Sequence, residues 1–512
     1  MTKEMVLILD FGSQYTQLIA KSIRKLSVYC EIVPFNVTYE EVLSKNPKAL
    51  VLSGSPFSVT ADNAPIPDKR IIEMDVPILG ICYGMQLLSH LNGAKVSKSS
   101  RKEYGYAKIK IEDHNTIFAG LSDEEEIWMS HGDALEQLPK GFHRIAYTGN
   151  SPYAAIAHET KPIFAFQFHP EVVHSVNGLD MLKNFVTKIA NIKPDWTPDS
   201  FIESTIKEIR DFVGTDQVIL GLSGGVDSSV AAALLYKAIG NQLIPIFVDN
   251  GLLRKNEVDD VEQIFKDGFG MGLQTVKAAD IFLSRLEGVT DPEKKRKIIG
   301  NAFIEIFDAE AKKHPNAKFL AQGTLYPDII ESVSFKGPSA TIKSHHNVGG
   351  LPEKMNLKLV EPLRELFKDE VREVGRTLGL PEHLVERHPF PGPGLAVRII
   401  SDITPEKVSV LQEIDYIFIS ELYANNLYTK TWQAFAVLLP IQSVGVMGDE
   451  RTYENVCALR AVNSSDGMTA DWTELPYEFL KRVSNRIINE VEGVNRVVYD
   501  ISSKPPATIE WE

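Results

Sequence analysis

Two short glycine-containing turns, each between an apolar strand and a helical pattern, constrain the fold of this chain more than any other feature. The first turn, residues 80–84, reads GICYG and carries a thiol. The second, residues 223–229, reads SGGVDSS and carries hydroxyls and one carboxylate but no lysine. Strand, tight turn and helix in this order are typical of sheets wrapped by helices. The sequence therefore predicts two α/β units, and the two turn chemistries suggest a hydrolysis run in series with an ATP-driven step.

Length and composition limit the classes of protein to which the chain can belong. At 512 residues it is too long for one core, so we expect two to four domains. A net charge of −14 argues against general nucleic-acid or membrane binding, although a local basic site can still hold a phosphate. No apolar run is long enough to span a bilayer. Three cysteines cannot form a disulfide framework, which favours a reducing, cytoplasmic location.

Two proline-rich stretches suggest the domain boundaries. Residues 191–199 contain two prolines and several turn formers, and residues 388–394 read HPFPGPG. We therefore expect an N-terminal open sheet with flanking helices, then a doubly wound parallel sheet, then an α+β domain. The corresponding ranges are residues 1–193, 200–390 and 391–512.

The thiol turn has the features of a nucleophile elbow. Cys82 follows an apolar strand at residues 76–79 and precedes a helix predicted at residues 85–91. Gly80 and Gly84 let the strand and helix approach closely and permit a strained turn. The start of a helix stabilises a thiolate, and its free backbone N–H groups can bind an oxyanion. We place these N–H donors near Tyr83, with a second donor at Gly54, which follows another strand.

A candidate base for this thiol follows a later strand. Alternation in residues 164–168 places Gln167 and His169 on one face, and Glu171 stands where it would orient the imidazole. The alternative is a small core cysteine and an ordinary loop histidine. The flanking glycines and the strand-terminal His-Pro-Glu favour a catalytic pair instead. Cys30 and Cys457 lie in apolar stretches, and we expect both to be buried.

The second turn has the features of a phosphate-binding loop. Residues 223–229 join a strand at residues 218–220 to a helix predicted to start near Ser229. Free N–H groups at a helix start, with glycines that allow close approach, suit a phosphate. The lysine of a Walker loop is absent, and Asp227 would hold Mg²⁺. A glycine-rich turn with an Asp-Ser cap is the alternative, and spacing alone leaves both open.

Taken together, the motifs resemble a known family. GICYGMQ at residues 80–86 with FHPE at 168–171 resembles the class I glutamine amidotransferases. SGGVDSS resembles the PP-loop of the ATP pyrophosphatases. The order of these motifs is similar to that of the glutamine-hydrolysing GMP synthase family. Three further segments strengthen the resemblance, which runs end to end: GTLYPDIIES at 323–332, IKSHHN at 342–347 and KPPATIEWE at 504–512.

The resemblance implies a two-site reaction. Cys82 would attack the side-chain amide of glutamine, His169 would relay the proton and Glu171 would position His169. Mg²⁺ and ATP would adenylate O6 of XMP with release of pyrophosphate, and ammonia would then displace AMP to give GMP. The implied partners are small molecules and a second copy of the chain, bound through the C-terminal domain.

The resemblance also implies roles for further residues. The oxyanion and glutamine pocket would comprise Gly54, Tyr83, Gln86, Ser130, His131, Gly132 and Asp133. ATP would contact Ser223, Gly224, Gly225, Val226, Asp227, Ser228, Ser229, Val248 and Gly323. A lid over the adenylation site would include Asp328, Glu331, Lys343, His345 and His346. XMP would contact Gly392, Arg398, Gln433, Lys504, Ile509 and Glu510.

Plainer interpretations exist for the last two groups. The lid residues also suit a solvated loop with a helix cap, and the final segment also suits a strand that only completes a sheet. Four other classes are disfavoured by the sequence. A tRNA-thiolating enzyme would need extra cysteines and a basic surface, and a CTP-forming amidotransferase would carry a Walker loop. An asparagine-forming enzyme would place its nucleophile at position 2, where Thr2 stands, and a sensor with decayed sites would show damage at the motif residues.

Overall fold

The computed structural model describes residues 3–333, 357–447, 450–464 and 467–512, with the backbone alone at residues 99–102, 331–333 and 447. The contacts between residues divide the chain into two compact units. The first comprises residues up to 201 together with the segment that begins at Leu325, and the second comprises the rest. Across the described ranges, no helix combines the length and the apolar character that crossing a membrane requires.

The first unit is built on a nine-stranded sheet. Its strands are β1 (Met5–Asp10), β2 (Tyr29–Pro34), β3 (Ala49–Leu52), β4 (Ile78–Ile81), β5 (Val96–Ile111), β6 (Glu124–Leu135), β7 (Phe142–Tyr147), β8 (Ala155–His158) and β9 (Ile163–Phe166). In space they follow the order β2-β1-β3-β4-β9-β8-β7-β5-β6. The first five in that order are parallel and the rest antiparallel. The carboxyl ends of the parallel strands therefore meet at one edge.

The helices of this unit pack beside the parallel strands. They are α1 (Thr16–Lys25), α2 (Tyr39–Lys45), α3 (Lys69–Ile72), α4 (Tyr83–Leu91) and α5 (Gly178–Lys183), the last continuing as a π-helix at Asn184–Ile189. Local sequence explains the start of α2: the Thr38 hydroxyl accepts a hydrogen bond from Glu41 N, and the Glu41 side chain bonds back to Thr38 in a capping box. The strands between them are apolar because helices or loops cover both faces of the parallel part.

The second unit contains two sheets. The five-stranded sheet is wholly parallel, in the order β12-β11-β10-β13-β14. In the other, β16 pairs antiparallel with β15 and β17 and parallel with β18. The strands are β10 (Gln217–Leu222), β11 (Leu243–Asp249), β12 (Gln274–Lys277), β13 (Ala317–Ala321), β14 (Lys358–Val360), β15 (Gln433–Met447), β16 (Glu450–Asn463), β17 (Asp471–Trp472) and β18 (Val494–Tyr499).

One hydrophobic core connects the two sheets of this unit. Buried residues of the parallel sheet, such as Ile219, belong to the same cluster as Phe418 and Val494. The remaining helices of the described residues are α6 (Pro198–Val213), α7 (Val226–Ile239), α8 (Glu257–Glu262), α9 (Ala279–Leu286), α10 (Pro292–Ala311), α11 (Tyr326–Val333), α12 (Lys368–Thr377), α13 (Glu382–Val385), α14 (Pro405–Ala424) and α15 (Tyr477–Glu490). Helix α11 belongs to the first unit. Short 3₁₀ and π turns lie at Gly240–Gln242, Gln263–Gly268 and Gly394–Arg398.

The predicted fold class is confirmed, and several element boundaries differ from the prediction, the starts of two helices among them. Helix α7 begins at Val226 rather than near Ser229, because Ser229 N already donates to Gly225 O at 3.1 Å. Helix α6 begins at Pro198, inside the stretch predicted as a linker. Proline is tolerated at a first helical position, and the Thr197 hydroxyl accepts a hydrogen bond from Ser200 N. Both differences move polar residues from a loop into the first turn of a helix.

Candidate active sites

Cys82 stands on a strained turn between β4 and α4. Its φ is +53° and its ψ is −102°, which is an uncommon conformation for a residue with a side chain. The glycines on either side make this turn possible. A Cβ on Gly80 would lie 2.7 Å from the backbone carbon of Gly84, and a Cβ on Gly84 would lie 2.3 Å from Leu52 O. Any larger residue would push α4 away from β3, so the glycines hold the thiol at the end of the strand.

His169 reaches the same edge of the sheet from the neighbouring strand. Strand β9 pairs parallel with β4, and Cys82 N donates to Phe166 O at 2.7 Å. His169 follows three residues later and is held by its backbone N–H, which donates to Trp128 O at 3.0 Å. Its Nδ1 lies 2.7 Å from Glu171 Oε1, and both residues are buried. The sheet topology thus brings Cys82, His169 and Glu171 together.

The protonation of His169 depends on these neighbours. Burial by itself lowers the pKa of an imidazole, but the negative charge of Glu171 raises it, as do hydrogen bonds with Cys82 and Glu171. The net result is a pKa for His169 well above its usual value. Because Nδ1 faces Glu171, Nε2 is the ring nitrogen that can exchange a proton with Cys82 Sγ. The arrangement can therefore hold a proton on the imidazole beside Cys82.

The predicted oxyanion donors lie next to this group. A Cβ on Gly54 would stand 3.5 Å from His169 Cε1, so Gly54 lies beside the imidazole. Tyr83 is the first residue of α4, and its hydroxyl donates to Pro65 O at 2.9 Å. The side chain of Tyr83 thus packs in the core, and what it offers the site is its backbone N–H.

Strand β6 brings the predicted glutamine-pocket residues to the thiol. Cys82 Sγ lies 3.7 Å from Ser130 O, and Gln86 Nε2 donates to Asp133 O at 3.1 Å. His131 Nδ1 also contacts Asp133 O, at 3.0 Å. The structure therefore brings Gln86 and the 130–133 segment, which includes Gly132, to one side of Cys82.

Two residues of this site were missed in the sequence. Gln167 donates from Nε2 to Cys82 Sγ at 3.7 Å, and Glu103 Oε2 lies 3.4 Å from His131 Nε2. Burial raises the pKa of Glu103, but hydrogen bonds with His131 and Thr148 outweigh it and lower the pKa. Alternation had placed Gln167 on the face of His169, although an uncharged amide carries no chemical signature. Glu103 faces His131 across an irregular register in β5, which periodicity does not reveal.

The second site lies where β10 meets α7. Gly224 has a φ of +75°, and a Cβ there would lie 3.2 Å from Glu257 Oε1. Ser223 Oγ and Ser228 Oγ are 2.9 Å apart, and Ser228 Oγ also donates to Gly225 O at 3.1 Å. The hydroxyls thus close the turn on itself. This leaves a glycine-lined loop, with Val226, Asp227 and Ser229 in the first helical turn, which can receive an anion.

Neighbouring strands add residues to this loop. Gly323 follows β13, which pairs with β10, and a Cβ on Gly323 would lie 3.4 Å from Asp227 Cβ. Val248 is buried near the end of β11, the partner of β10 on the other side. Both predicted residues therefore flank β10, as the parallel topology requires.

A lysine reaches the loop from a distant part of the chain. Lys368 Nζ, at the start of α12, lies 2.6 Å from Asp227 Oδ1. Arg387 donates to Gly224 O at 2.9 Å and pairs with Glu257. Lys368 thus places an ammonium group beside the loop from 141 residues further along the chain, and no local spacing could have indicated it.

The predicted metal site can be judged from its donors. Within the described ranges there is no cluster of three or more histidine, cysteine, aspartate or glutamate side chains suited to a metal. Asp227 is the carboxylate at the loop itself, and it is paired with Lys368. Mg²⁺ commonly needs only one or two protein carboxylates when nucleotide phosphates and water complete its shell. The residues present fit an ion bound mainly by a nucleotide and do not fit a preformed metal cage.

A third group joins residues from both ends of the C-terminal region. Arg398 is fully buried and forms a two-pronged pair with Glu510, at 3.1 and 2.9 Å. Gln433 Nε2 donates to the same carboxylate at 2.7 Å. Gly392 lies in the loop just before the 3₁₀ turn that carries Arg398. Ile509 packs against a small buried cluster, and Lys504 Nζ donates to Gly467 O at 2.8 Å. The structure thus unites Arg398, Gln433 and Glu510, while the Lys504 ammonium is engaged elsewhere.

Two buried cations that the sequence did not suggest hold the last residues of the chain. Arg460 donates to Ser502 O, Thr508 O and Ile509 O at 2.7, 3.0 and 3.2 Å. Lys295 is fully buried, and its Nζ lies 2.7 Å from Glu512 Oε2. A charge in the core requires partners of this kind, and these partners fix the path of the tail.

The predicted lid falls mainly outside the described residues. Lys343, His345 and His346 lie there, as does the side chain of Glu331. Asp328 accepts a hydrogen bond from Leu325 N at 3.0 Å at the start of α11. In this structure Asp328 therefore acts as a helix cap, which was the plainer of its two interpretations.

Comparison with known proteins identifies the family of the chain. The family model "Glutamine amidotransferase class-I" matches residues 7–189, "NAD synthase" matches 199–302, and "GMP synthase C terminal domain" matches 420–511. A relative from Fusobacterium nucleatum named GMP synthase (glutamine-hydrolyzing) is 57% identical over 513 residues, covering 100% of both chains. Relatives of the same name from Aquifex aeolicus and Brachyspira hyodysenteriae are 57% and 58% identical, covering 100% and 99% of both chains. The chain belongs to the glutamine-hydrolysing GMP synthase family of ligases.

Proposed function

We propose that this chain forms GMP from XMP, with glutamine as the nitrogen donor and ATP as the activating substrate. The observation that carries the proposal is the group formed by Cys82, His169 and Glu171. Their placement at the ends of two adjacent parallel strands matches the chemistry of a thiol activated by an imidazole.

In the first site, Cys82 Sγ attacks the side-chain amide carbon of glutamine. The thiol proton passes to His169, which then donates it to the departing nitrogen, so that ammonia leaves and a thioester remains. Water hydrolyses the thioester to glutamate and restores Cys82. Backbone N–H groups at Tyr83 and Gly54 stabilise the oxyanion, and Gln86 with Ser130, His131, Gly132 and Asp133 holds glutamine. Glu171 positions His169.

In the second site, the loop from Ser223 to Ser229 holds the phosphates of ATP. Lys368 lies where a phosphate oxygen would replace Asp227 as its partner, and Val248 and Gly323 line the nucleotide pocket. The O6 of XMP attacks the α-phosphate and pyrophosphate leaves, which turns a poor leaving group into AMP. Ammonia then displaces AMP. Mg²⁺, held by Asp227 and the nucleotide, would neutralise charge on the pyrophosphate.

XMP is bound by the group around Arg398, Gln433 and Glu510. Because Arg398 is fully buried and Gln433 nearly so, both act by fixing the Glu510 carboxylate, which contacts the ligand. Gly392, Ile509 and Lys504 belong to the surrounding segments, and Lys504 would exchange Gly467 O for the phosphate of XMP. The lid residues Asp328, Glu331, Lys343, His345 and His346 would cover the activated nucleotide.

The chain acts as a homodimer through its C-terminal domain. Val444 on β15 and Tyr453 on β16 are cross-strand neighbours. Val444 is 55% exposed, Tyr453 is 65% exposed, and Val446, also on β15, is 74% exposed. Apolar side chains grouped on one face of a sheet favour contact with a second copy. The three cysteines are buried and lie outside disulfides, which agrees with a cytoplasmic location. For the domains, our prediction remains residues 1–193, 200–390 and 391–512.

One assay tests the whole proposal. The purified chain is incubated with XMP, Mg-ATP and glutamine, and the products are separated by chromatography. We expect equal amounts of GMP, AMP, pyrophosphate and glutamate. Formation of ADP and orthophosphate, or turnover of ATP without XMP, would contradict it.

A further inference from the structure

We propose that Gln167 is a catalytic residue of the glutamine site, where its side-chain N–H stabilises the Cys82 thiolate. This inference rests on the proposed function, because it concerns the nucleophile of the amide hydrolysis. The contact that suggests it is the 3.7 Å distance from Gln167 Nε2 to Cys82 Sγ, between two buried side chains.

A chain of hydrogen bonds fixes the direction in which the Gln167 amide points. Asp133 O is a backbone carbonyl and can only accept, so Gln86 must present its nitrogen there, at 3.1 Å. The same Gln86 nitrogen lies 3.4 Å from Gln167 Oε1. If the Gln167 amide were reversed, two NH₂ groups would face each other. The Gln167 oxygen therefore faces Gln86, and its nitrogen faces the sulfur.

The surroundings of the sulfur explain why this donor matters. Ser130 O, 3.7 Å from Sγ, accepts from the thiol and so favours its neutral form. Once the proton has moved to His169, that carbonyl faces a negative sulfur. The N–H of Gln167 is then the neutral donor that offsets it, because a hydrogen bond to a charged group is stronger than one to a neutral group. Without Gln167 the carbonyl would act unopposed and the thiolate would be less populated.

Several titratable groups also surround the sulfur. His169, with Glu171 behind it, approaches from the loop after β9. His131 and Asp133 lie on β6, with Glu103 on β5 beyond His131. Tyr15 packs against the His169 ring at 4.9 Å. A substitution of Gln167 changes none of these charges, so any shift in the thiol's titration comes from the lost donor.

The test measures the titration of Cys82 directly. Gln167→Leu removes the donor, and iodoacetamide labelling of the Cys82 peptide is followed by mass spectrometry from pH 5 to 10. We expect the labelling midpoint to rise by about one pH unit, a roughly tenfold loss of thiolate at neutral pH. Glutamine-dependent GMP formation falls in parallel while ammonia-dependent formation is retained. Gln137→Leu, at an exposed position of the same unit, is the matched control and leaves the midpoint unchanged.

A second variant guards against a folding defect. Gln167→Glu keeps the size of the side chain but places oxygens against the sulfur, and we expect a larger rise of the midpoint than with leucine. If wild-type protein forms GMP and both variants label like wild type, Gln167 has no such role. If wild-type protein forms no GMP from glutamine, the proposed function itself fails, so the two failures are separable.

Discussion

Gly84 lies so close to Leu52 that a Cβ atom on residue 84 would stand 2.3 Å from the Leu52 carbonyl oxygen. Gly84→Ala must therefore move α4 away from β3, at a cost at or above the roughly 1–3 kcal/mol typical of overpacking. We expect a lower Tm in calorimetry and loss of glutamine-dependent activity. Gly149→Ala is the control, since a Cβ there meets nothing within 4 Å. Equal Tm values for the two variants would contradict this account of the turn.

Replacement of the nucleophile separates the two half-reactions. Cys82→Ala removes the sulfur but none of the residues around the loop from Ser223 to Ser229. Glutamine-dependent GMP formation should fall by about 10³-fold or more, whereas ammonia-dependent formation should stay near wild type. The measurement compares initial rates with each nitrogen source. Loss of both activities together would show that the division of labour is wrong.

The Glu171–His169 pair predicts a pH dependence of stability. In the folded protein the pKa of His169 is raised above its unfolded value of about 6.5. The stabilisation is thus fully present below that value and is lost as the pH rises through the folded pKa. Glu171→Gln removes the cause, so its deficit in Tm should be largest near pH 6 and should shrink toward pH 9. A deficit that does not vary with pH would exclude this origin.

The same substitution should affect catalysis at one site only. Glu171→Gln should lower glutamine-dependent turnover by on the order of 10²-fold, since the imidazole loses both orientation and charge support. His169 in the variant should titrate at lower pH, which ¹³C-labelled histidine shows by NMR. Unchanged ammonia-dependent turnover serves as the internal control.

Lys368 predicts an effect on ATP. Lys368→Met removes the ammonium beside Asp227, and the KM for ATP should rise by roughly tenfold or more, as expected for loss of a charge-assisted contact. Lys312→Met is a matched control, because Lys312 pairs with Asp308 on the exposed side of α10. If the two variants had the same KM for ATP, Lys368 would have no part in binding the phosphates.

The exposed face of β15 and β16 predicts the oligomeric state. Val444→Asp places a charge among apolar side chains, so the proposed dimer should dissociate in sedimentation velocity experiments. Leu43→Asp, at a position 54% exposed on α2, should leave the mass unchanged. A monomeric wild-type chain would rule out the dimer directly.

The sequence predicted the parts of the structure that depend on local chemistry. Apolar runs located β4 and β10, and the glycines beside Cys82 predicted a tight turn that the Leu52 contact explains. The grouping of Cys82 with His169 followed because two strand ends were recognised. Lys368, Glu103 and Lys295 were missed because each reaches its partner from a distant segment, and only the packing of the chain places them there.

For some motif residues the sequence did not determine which groups their side chains contact. Arg398 and Lys504 were both predicted to contact XMP, yet Arg398 is buried against Glu510 and Lys504 donates to Gly467 O. A sequence gives the type of side chain, whereas exposure and existing partners decide what that side chain is free to contact.

The way in which Arg460 holds the final segment determines how that segment can be redesigned. The Arg460 guanidinium donates to the backbone carbonyl oxygens of Ser502, Thr508 and Ile509. A backbone carbonyl accepts such a bond whatever side chain its residue carries. The Arg460 contacts therefore do not depend on the side chains of that segment, whereas the Glu510 and Glu512 carboxylates must be kept because they pair with buried Arg398 and Lys295. Selectivity for one purine nucleotide over another is open to redesign there, without rebuilding the scaffold beneath.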